Sequence, residues 1–266
     1  MPTLTIEKRT ASPAAAPGLD ELVLEFQRQL DTLVARGCPW AAGMTDAQFR
    51  AELAPLAERL PEAAALAAAR GSGPAVPAAA PEPAAPAAAA AAAAPTPPAA
   101  AASAAAEGPP RPPFVLVVGR ELIAPERAAR LVERRGRRLV VSMLDADAFA
   151  AFAPIPSAVP PPGGAWLLVD VDAGWATRGD TPDAALPRIA AAGRAPLTLE
   201  EGIAVVTHQP ELVATNAGFS LLGSRRGDRR VTALWISGGA PKLGWCYAGA
   251  PHTWLGSGSC AARLGM

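Results

Sequence analysis

Apolar positions along the first third of the chain recur at helical spacing. Leu19, Leu22, Val23, Phe26, Leu30, Leu33 and Val34 form one stripe, with Asp20 and Glu21 at its start and Gly37 as a stop. Thr45 with Gln48 three residues on forms a capping box that opens a second helix. Its stripe runs through Phe49, Leu53, Leu56 and Leu60; Pro55 kinks it, and Pro61 opens a further Ala-rich turn. The pattern over residues 19–70 predicts a helical hairpin with one apolar face that needs a partner. From residue 114 the pattern changes. Phe114–Gly119 reads as a buried strand, Pro125–Arg135 as a helix and Arg138–Leu144 as another strand. That order predicts a parallel crossover unit. Trp166–Val171 reads as a third strand and Ala184–Ala192 as a helix. Thr198 and Glu201 make another capping box for a helix over Leu199–Thr207, where Gly202 permits close packing. A short helix follows at Pro210–Thr215. Phe219–Ser224, Val231–Ser237 and Leu243–Tyr247, with the charged turn RRGDRR after the first, read as antiparallel strands. Helices with mixed parallel and antiparallel pairing define an α+β class, a mixed sheet with flanking helices.

Composition changes this picture in one place. The stretch Gly71–Pro113 is almost entirely Ala and Pro. Side chains that small, broken by prolines, cannot build a core, so the segment is expected to be a disordered linker. The organisation expected is a disordered start (1–18), a helical hairpin (19–70) docking on the main domain, the linker (71–113), and an α+β main domain (114–266).

Charge excludes more than it suggests. The 266 residues carry 24 basic and 24 acidic side chains. Residues 1–113 hold 8 basic and 11 acidic groups, a mild asymmetry. No strong basic patch with interleaved aromatics appears, so nucleic acid is not an expected partner. No run of 18 strongly apolar residues exists, so no membrane partner is expected. Cys38, Cys246 and Cys260 are odd in number and lack metal-finger spacing. With no apolar signal core at the start, a cytoplasmic location is expected.

The candidate chemistry is sparse. Asp170 and Asp172 end an apolar strand, and alternation puts both carboxylates on one face, where they can hold a metal ion with Asp145 and Asp147. The plainer reading is that these residues cap turns. DVDAG also resembles the first motif of haloacid-dehalogenase-like phosphatases, but Gly179, Asp180 and Asp183 come too soon for the later acidic motif. Cys246 and His252 can form a thiol nucleophile and base if the YAGAP turn sets them opposite one another. A four-residue loop would instead put Tyr247 opposite His252, and the sequence leaves the parity open. His208 ends a capped helix, where a cationic ring suits the dipole. Arg225, Arg226, Arg229 and Arg230 surround Gly227 and Asp228, a fork-rich turn able to hold phosphate or carboxylate. Trp245 and Tyr247 share a strand face, and Trp235 and Trp254 lie close in sequence, as the wall of a core or a groove. GSGSCA resembles a dinucleotide-binding fingerprint, but too little chain follows it to build the required unit. No cofactor is expected.

The stretches LVARGCPWAAGMTDAQFR, TLEEGIAVVTH, GSRRGDRRVTALWIS and KLGWCYAGAPHTWLGSGSC resemble a bacterial protein family of unknown function, of high-GC, actinobacterial type. The resemblance implies no activity and no catalytic residue. The reading that follows is a binding or interaction module for a small ligand, anionic or otherwise, or for a partner protein. The binding candidates are the four arginines of the turn, His208, Trp245 and Trp254. The alternative is an enzyme that uses Cys246 and His252, or a metal at Asp170 and Asp172.

Overall fold

The structure is a computed structural model and describes residues 17–71 and 112–266. The disordered start and the linker expected from the sequence fall largely outside these residues. The described chain is α+β, with helices on both faces of its smaller sheet. Four helices come first: α1 (Leu19–Ala35), α2 (Cys38–Ala41), α3 (Asp46–Leu53) and α4 (Leu60–Gly71). Gly37, at φ +85°, makes the sharp turn after α1 that few other residues tolerate. The Thr45–Gln48 capping box starts α3, and Pro55 sits in a 3₁₀ segment, Ala54–Arg59, that bends the chain into α4. Leu22, Phe26, Leu30 and Leu33 of α1 are buried, whereas Leu19 and Val23 of the predicted stripe face solvent.

The second part holds four more helices, α5 (Pro125–Leu131), α6 (Ala146–Ala151), α7 (Pro182–Ala191) and α8 (Leu199–His208). Its strands are β1 (Phe114–Val118), β2 (Glu133–Arg134), β3 (Arg137–Arg138), β4 (Val140–Val141), β5 (Ala153–Pro154), β6 (Ala165–Val169) and β7 (Ala195–Pro196). They continue as β8 (Gly218–Arg225), β9 (Arg230–Ser237), β10 (Ala240–Tyr247), β11 (Leu255–Ser257), β12 (Ser259–Cys260) and β13 (Ala262–Gly265).

The predicted parallel crossover from 114 to 144 does not form. β1 pairs antiparallel with β6, and β6 with β13, giving a three-stranded sheet. Helix α5 has only seven residues, and Arg135 and Gly136 both adopt positive φ. Those two angles make a tight hairpin between β2 and β3. The chain therefore folds back on itself, and β4 joins the other sheet, parallel to β10. That sheet runs β11-β8-β9-β10-β4, with β5 on β8. Its β8–β9–β10 meander is antiparallel, and Gly238 and Gly239 turn β9 into β10.

Helix α8 lies in the core that joins the two sheets, buried at every position except Thr207. Val115, Val117 and Leu168 meet it from the smaller sheet, and Phe219, Leu221, Leu234 and Leu243 from the larger one. Gly202 allows the close approach, since a β-carbon there would lie 2.5 Å from the Leu221 side chain. The opposite face of the small sheet, Phe114, Leu116, Leu167 and Val169, packs on α1, α3 and α4. A buried polar contact helps to fix this arm. The buried Gln29 amide donates to the Phe114 carbonyl at 3.1 Å and accepts from the Leu116 N–H at 2.7 Å. It thereby satisfies two groups on the outer edge of β1 that would otherwise be buried without partners.

Candidate functional site

The arginines of the turn between β8 and β9 gather at one end of the larger sheet. Gly227, at φ +82°, closes the tip, and Asp228 Oδ1 accepts from the Arg230 N–H at 2.8 Å. Arg226 and Arg230 share Asp228, at 3.2 and 3.6 Å. Arg225 and Arg229 share Asp183 from α7, at 3.9 and 3.4 Å. Two carboxylates thus serve four guanidinium groups, which leaves excess positive charge at the tip.

An aromatic surface adjoins this charge. The Arg230 guanidinium sits 4.8 Å from the centre of the Trp245 ring. Trp245 meets Tyr247 edge-on at 5.0 Å, and its Nε1–H donates to the Met143 carbonyl at 3.1 Å. Tyr247 and Met143 are both more than half exposed. Cross-strand register explains the cluster: Tyr247 lies opposite Arg230, and Trp245 opposite Thr232. Period two then puts all four on one face of the sheet. The result is an open, cationic and aromatic surface suited to carboxylate groups on a chain with some apolar character.

Other sequence candidates go elsewhere. Cys246 lies on the opposite sheet face, in a core with Val231, Ala233 and Leu255 under α7. Its sulfur is 3.6 Å from Ser220 Oγ, and burial pushes its pKa up. The hairpin imagined between Tyr247 and His252 does not form, because the next strand, β11, pairs parallel with β8. His252 stacks at a tilt on Trp254, and among the described residues no hydrogen bond joins it to Cys246. The thiol and imidazole are therefore not assembled as a nucleophile and base. Trp254 itself packs beside Trp235, 6.2 Å between ring centres, on the Cys246 side of the sheet and away from Trp245. Burial also drives the Cys38 and Cys260 thiols up to about 12.

The aspartates are structural. Strand β6 ends at Val169, and Asp170 turns to φ +50°, so alternation stops before the pair. Asp170 Oδ2 accepts from Arg194 at 2.6 Å, while Asp172 Oδ1 accepts from the Gly174 N–H at 2.7 Å. Asp145 caps α6 through the Ala148 N–H. Among the described residues no group of three or more His, Cys, Asp or Glu can hold a metal ion. Gly174 of DVDAG and Gly256 of GSGSC share one purpose, the close crossing of two backbones. A β-carbon on Gly174 would lie 2.2 Å from Ser257 N, and one on Gly256 would lie 2.2 Å from Gly174 O.

His208 ends α8 as predicted from the pattern, but it is buried rather than poised as a cation. Burial lowers its pKa to about 4, and the nearby Arg28 acts in the same direction. Among the described residues neither ring nitrogen has a hydrogen-bond partner of good geometry, and the nearby Leu116 carbonyl and Glu25 only partly offset the effect of burial.

Sequence reasoning missed a buried ion pair. Glu201, whose side chain has no solvent exposure, accepts from Arg263 at 2.5 and 2.8 Å, from Trp166 Nε1 at 3.1 Å and from the Thr198 N–H at 2.7 Å. It ties α8 to two strands of the smaller sheet, β6 and β13. Its neighbour Glu200 pairs with Arg120 at 2.5 Å. Only the local capping box was visible in the sequence; Arg263 lies 62 residues away, with no spacing signal.

These features define an α+β protein with two sheets around a buried helix, an arm of helices over the smaller sheet, and a cationic and aromatic end on the larger one. The chain belongs to a family of unknown function, DUF5701, whose model matches residues 75–266. Helices α1 to α4, and with them the stretch LVARGCPWAAGMTDAQFR, lie outside that match. No curated protein and no solved structure matches the chain. Among the described residues no helix is long and apolar enough to cross a membrane.

Proposed function

We propose that the protein is a binding module whose recognition surface is the arginine turn together with Trp245 and Tyr247. Its partner is an acidic segment of another protein. The observation that carries this reading is the sharing of Asp228 by Arg226 and Arg230, with Arg230 lying over Trp245. Pairs of 3.2 to 3.9 Å are held loosely and exposed to water, so an incoming carboxylate can replace them at little cost. Met143, Tyr247 and Arg229 are each more than half exposed, which suits a protein segment better than an enclosed small molecule.

The test is a titration of the isotope-labelled full chain with a ten-residue oligoglutamate peptide, followed at the Trp245 indole N–H. The expected result is a saturable shift that weakens as salt is raised and weakens at least tenfold in the double variant Arg226→Glu, Arg230→Glu. An unmoved Trp245 signal, or one that responds equally in the double variant, overturns the proposal.

A further inference from the structure

A second site lies between the arm and α8. Here a cleft of about 30 Å³ opens along the outer edge of β1. That volume holds about two waters. Its walls are apolar: Leu33 from α1, Ile123 before α5, Leu131 from α5, and Ile203 from α8. Glu200 also lines it, with its side chain only 3% exposed. One Glu200 oxygen takes Arg120, while the other, Oε2, is buried with no partner. A bare carboxylate oxygen in an apolar wall is costly unless something donates to it.

The edge of β1 supplies the complementary group. Pro113 O accepts from Asp170 N, and Gly119 N donates to Gly164 O, so the odd positions between them face β6. The backbone groups of Phe114, Leu116 and Val118 therefore point to the other edge. Gln29 takes Phe114 O and Leu116 N with its carboxamide. The next N–H along, that of Val118, meets no acceptor among the described residues, and Val118 lines the cleft beside Glu200.

We propose that this cleft binds a small neutral carboxamide. Its carbonyl accepts from the Val118 N–H, its NH₂ donates to Glu200 Oε2, and a short aliphatic part rests on Ile123, Leu131 and Ile203. Gln29 already shows how a carboxamide pairs with this strand edge. The ligand is neutral because Glu200 is matched by Arg120, and Arg36 also lines the cleft. An added cation would meet the Arg36 guanidinium in the same cleft.

The labelled full chain, titrated with acetamide and separately with ethylammonium, tests this. Acetamide is expected to give saturable, roughly millimolar shifts at the Val118 N–H and at the Ile123 and Ile203 methyl groups. Ethylammonium is expected to give none. Ala204→Leu, which fills the cleft, should abolish the acetamide response and leave the remaining spectrum native. Should that variant not fold, Ala128→Leu fills the same space from α5. Linear or scattered acetamide shifts, equal binding of ethylammonium, or saturation that persists in a folded filled variant overturns the assignment.

Discussion

Arginine meets carboxylate in two opposite ways in this molecule. Arg263 and Glu201 form a two-pronged pair at 2.5 and 2.8 Å, with side chains 9% and 0% exposed. Every remaining Glu201 hydrogen bond is also spent inside the fold. At the arginine turn four guanidinium groups divide two carboxylates, all at 3.2 Å or more and all partly in water. The first arrangement is committed, since water cannot replace either partner once it is lost. The second is exchangeable, since water and an incoming anion can both replace Asp228 or Asp183. Strong geometry marks structure here, and loose geometry with spare charge marks the surface proposed for recognition.

The largest expected effect breaks the committed pair. Arg263→Ala leaves Glu201 charged, buried and half satisfied, which should cost about 3–5 kcal/mol of stability in urea unfolding. Replacing both partners by Arg263→Met with Glu201→Leu should cost less than either single change, because no stranded charge remains. A single variant that loses less than about 1 kcal/mol would mean that water reaches Glu201 and that the contrast with the turn is false.

Next in size is an effect of acid on the same interior. His208 is packed against Leu116 and faces Glu25 and Arg28 of α1. Its folded pKa, about 4, lies below the ordinary 6.5. Between those values the unfolded chain binds a proton that the folded chain refuses. Stability is therefore full above pH 6.5 and falls as the pH drops towards 4, by about 3 kcal/mol in all. Carboxylates also titrate near the lower end, so the measurement is the difference between the native chain and His208→Phe. That variant should flatten the pH 4–6.5 portion of the urea-unfolding profile. If the two profiles run parallel, His208 is not held neutral by the interior.

Gln29 gives a neutral counterpart of the committed pair. Gln29→Leu should cost about 1–3 kcal/mol, since it strands the Phe114 carbonyl and the Leu116 N–H. Hydrogen exchange at Leu116 should speed up with it. Unchanged exchange would show that the arm covers this edge without the amide.

The sequence was most legible where the controlling contacts are local. Both capping boxes, at Thr45 and Thr198, form with side chains three residues apart. Gly202 could be read as a packing site because the helix around it is apolar. The sheet pairing was not legible. The partner of β1 lies some 50 residues on, and a helix of seven residues between two apolar runs looks like a crossover until Arg135 and Gly136 turn the chain back. The site was half legible. Four arginines and the Trp245–Tyr247 alternation stand in plain view, yet Asp183 reaches the turn from a separate helix. Cys246 and His252 misled because the five residues between them suggested a hairpin, whereas the chain leaves β10 and returns beside β8.

The smallest stability effect belongs to the turn, and it is the sharpest test of the contrast. In the double variant Arg226→Glu, Arg230→Glu, two loose pairs with Asp228 vanish, and the Arg230–Trp245 contact goes with them. Exposed pairs of this kind contribute little, since the side chains give up entropy to hold one geometry and salt screens them. The change introduces repulsion with Asp228, but the tip is free to splay into water. Unfolding stability should therefore move by about 0.5 kcal/mol or less. Acidic-peptide binding should fall at least tenfold in the same protein. A large loss of stability would place the turn among the committed contacts and remove its claim to be free for a partner. A small loss of stability together with unchanged peptide binding would leave the turn exchangeable but not the surface that recognises acid.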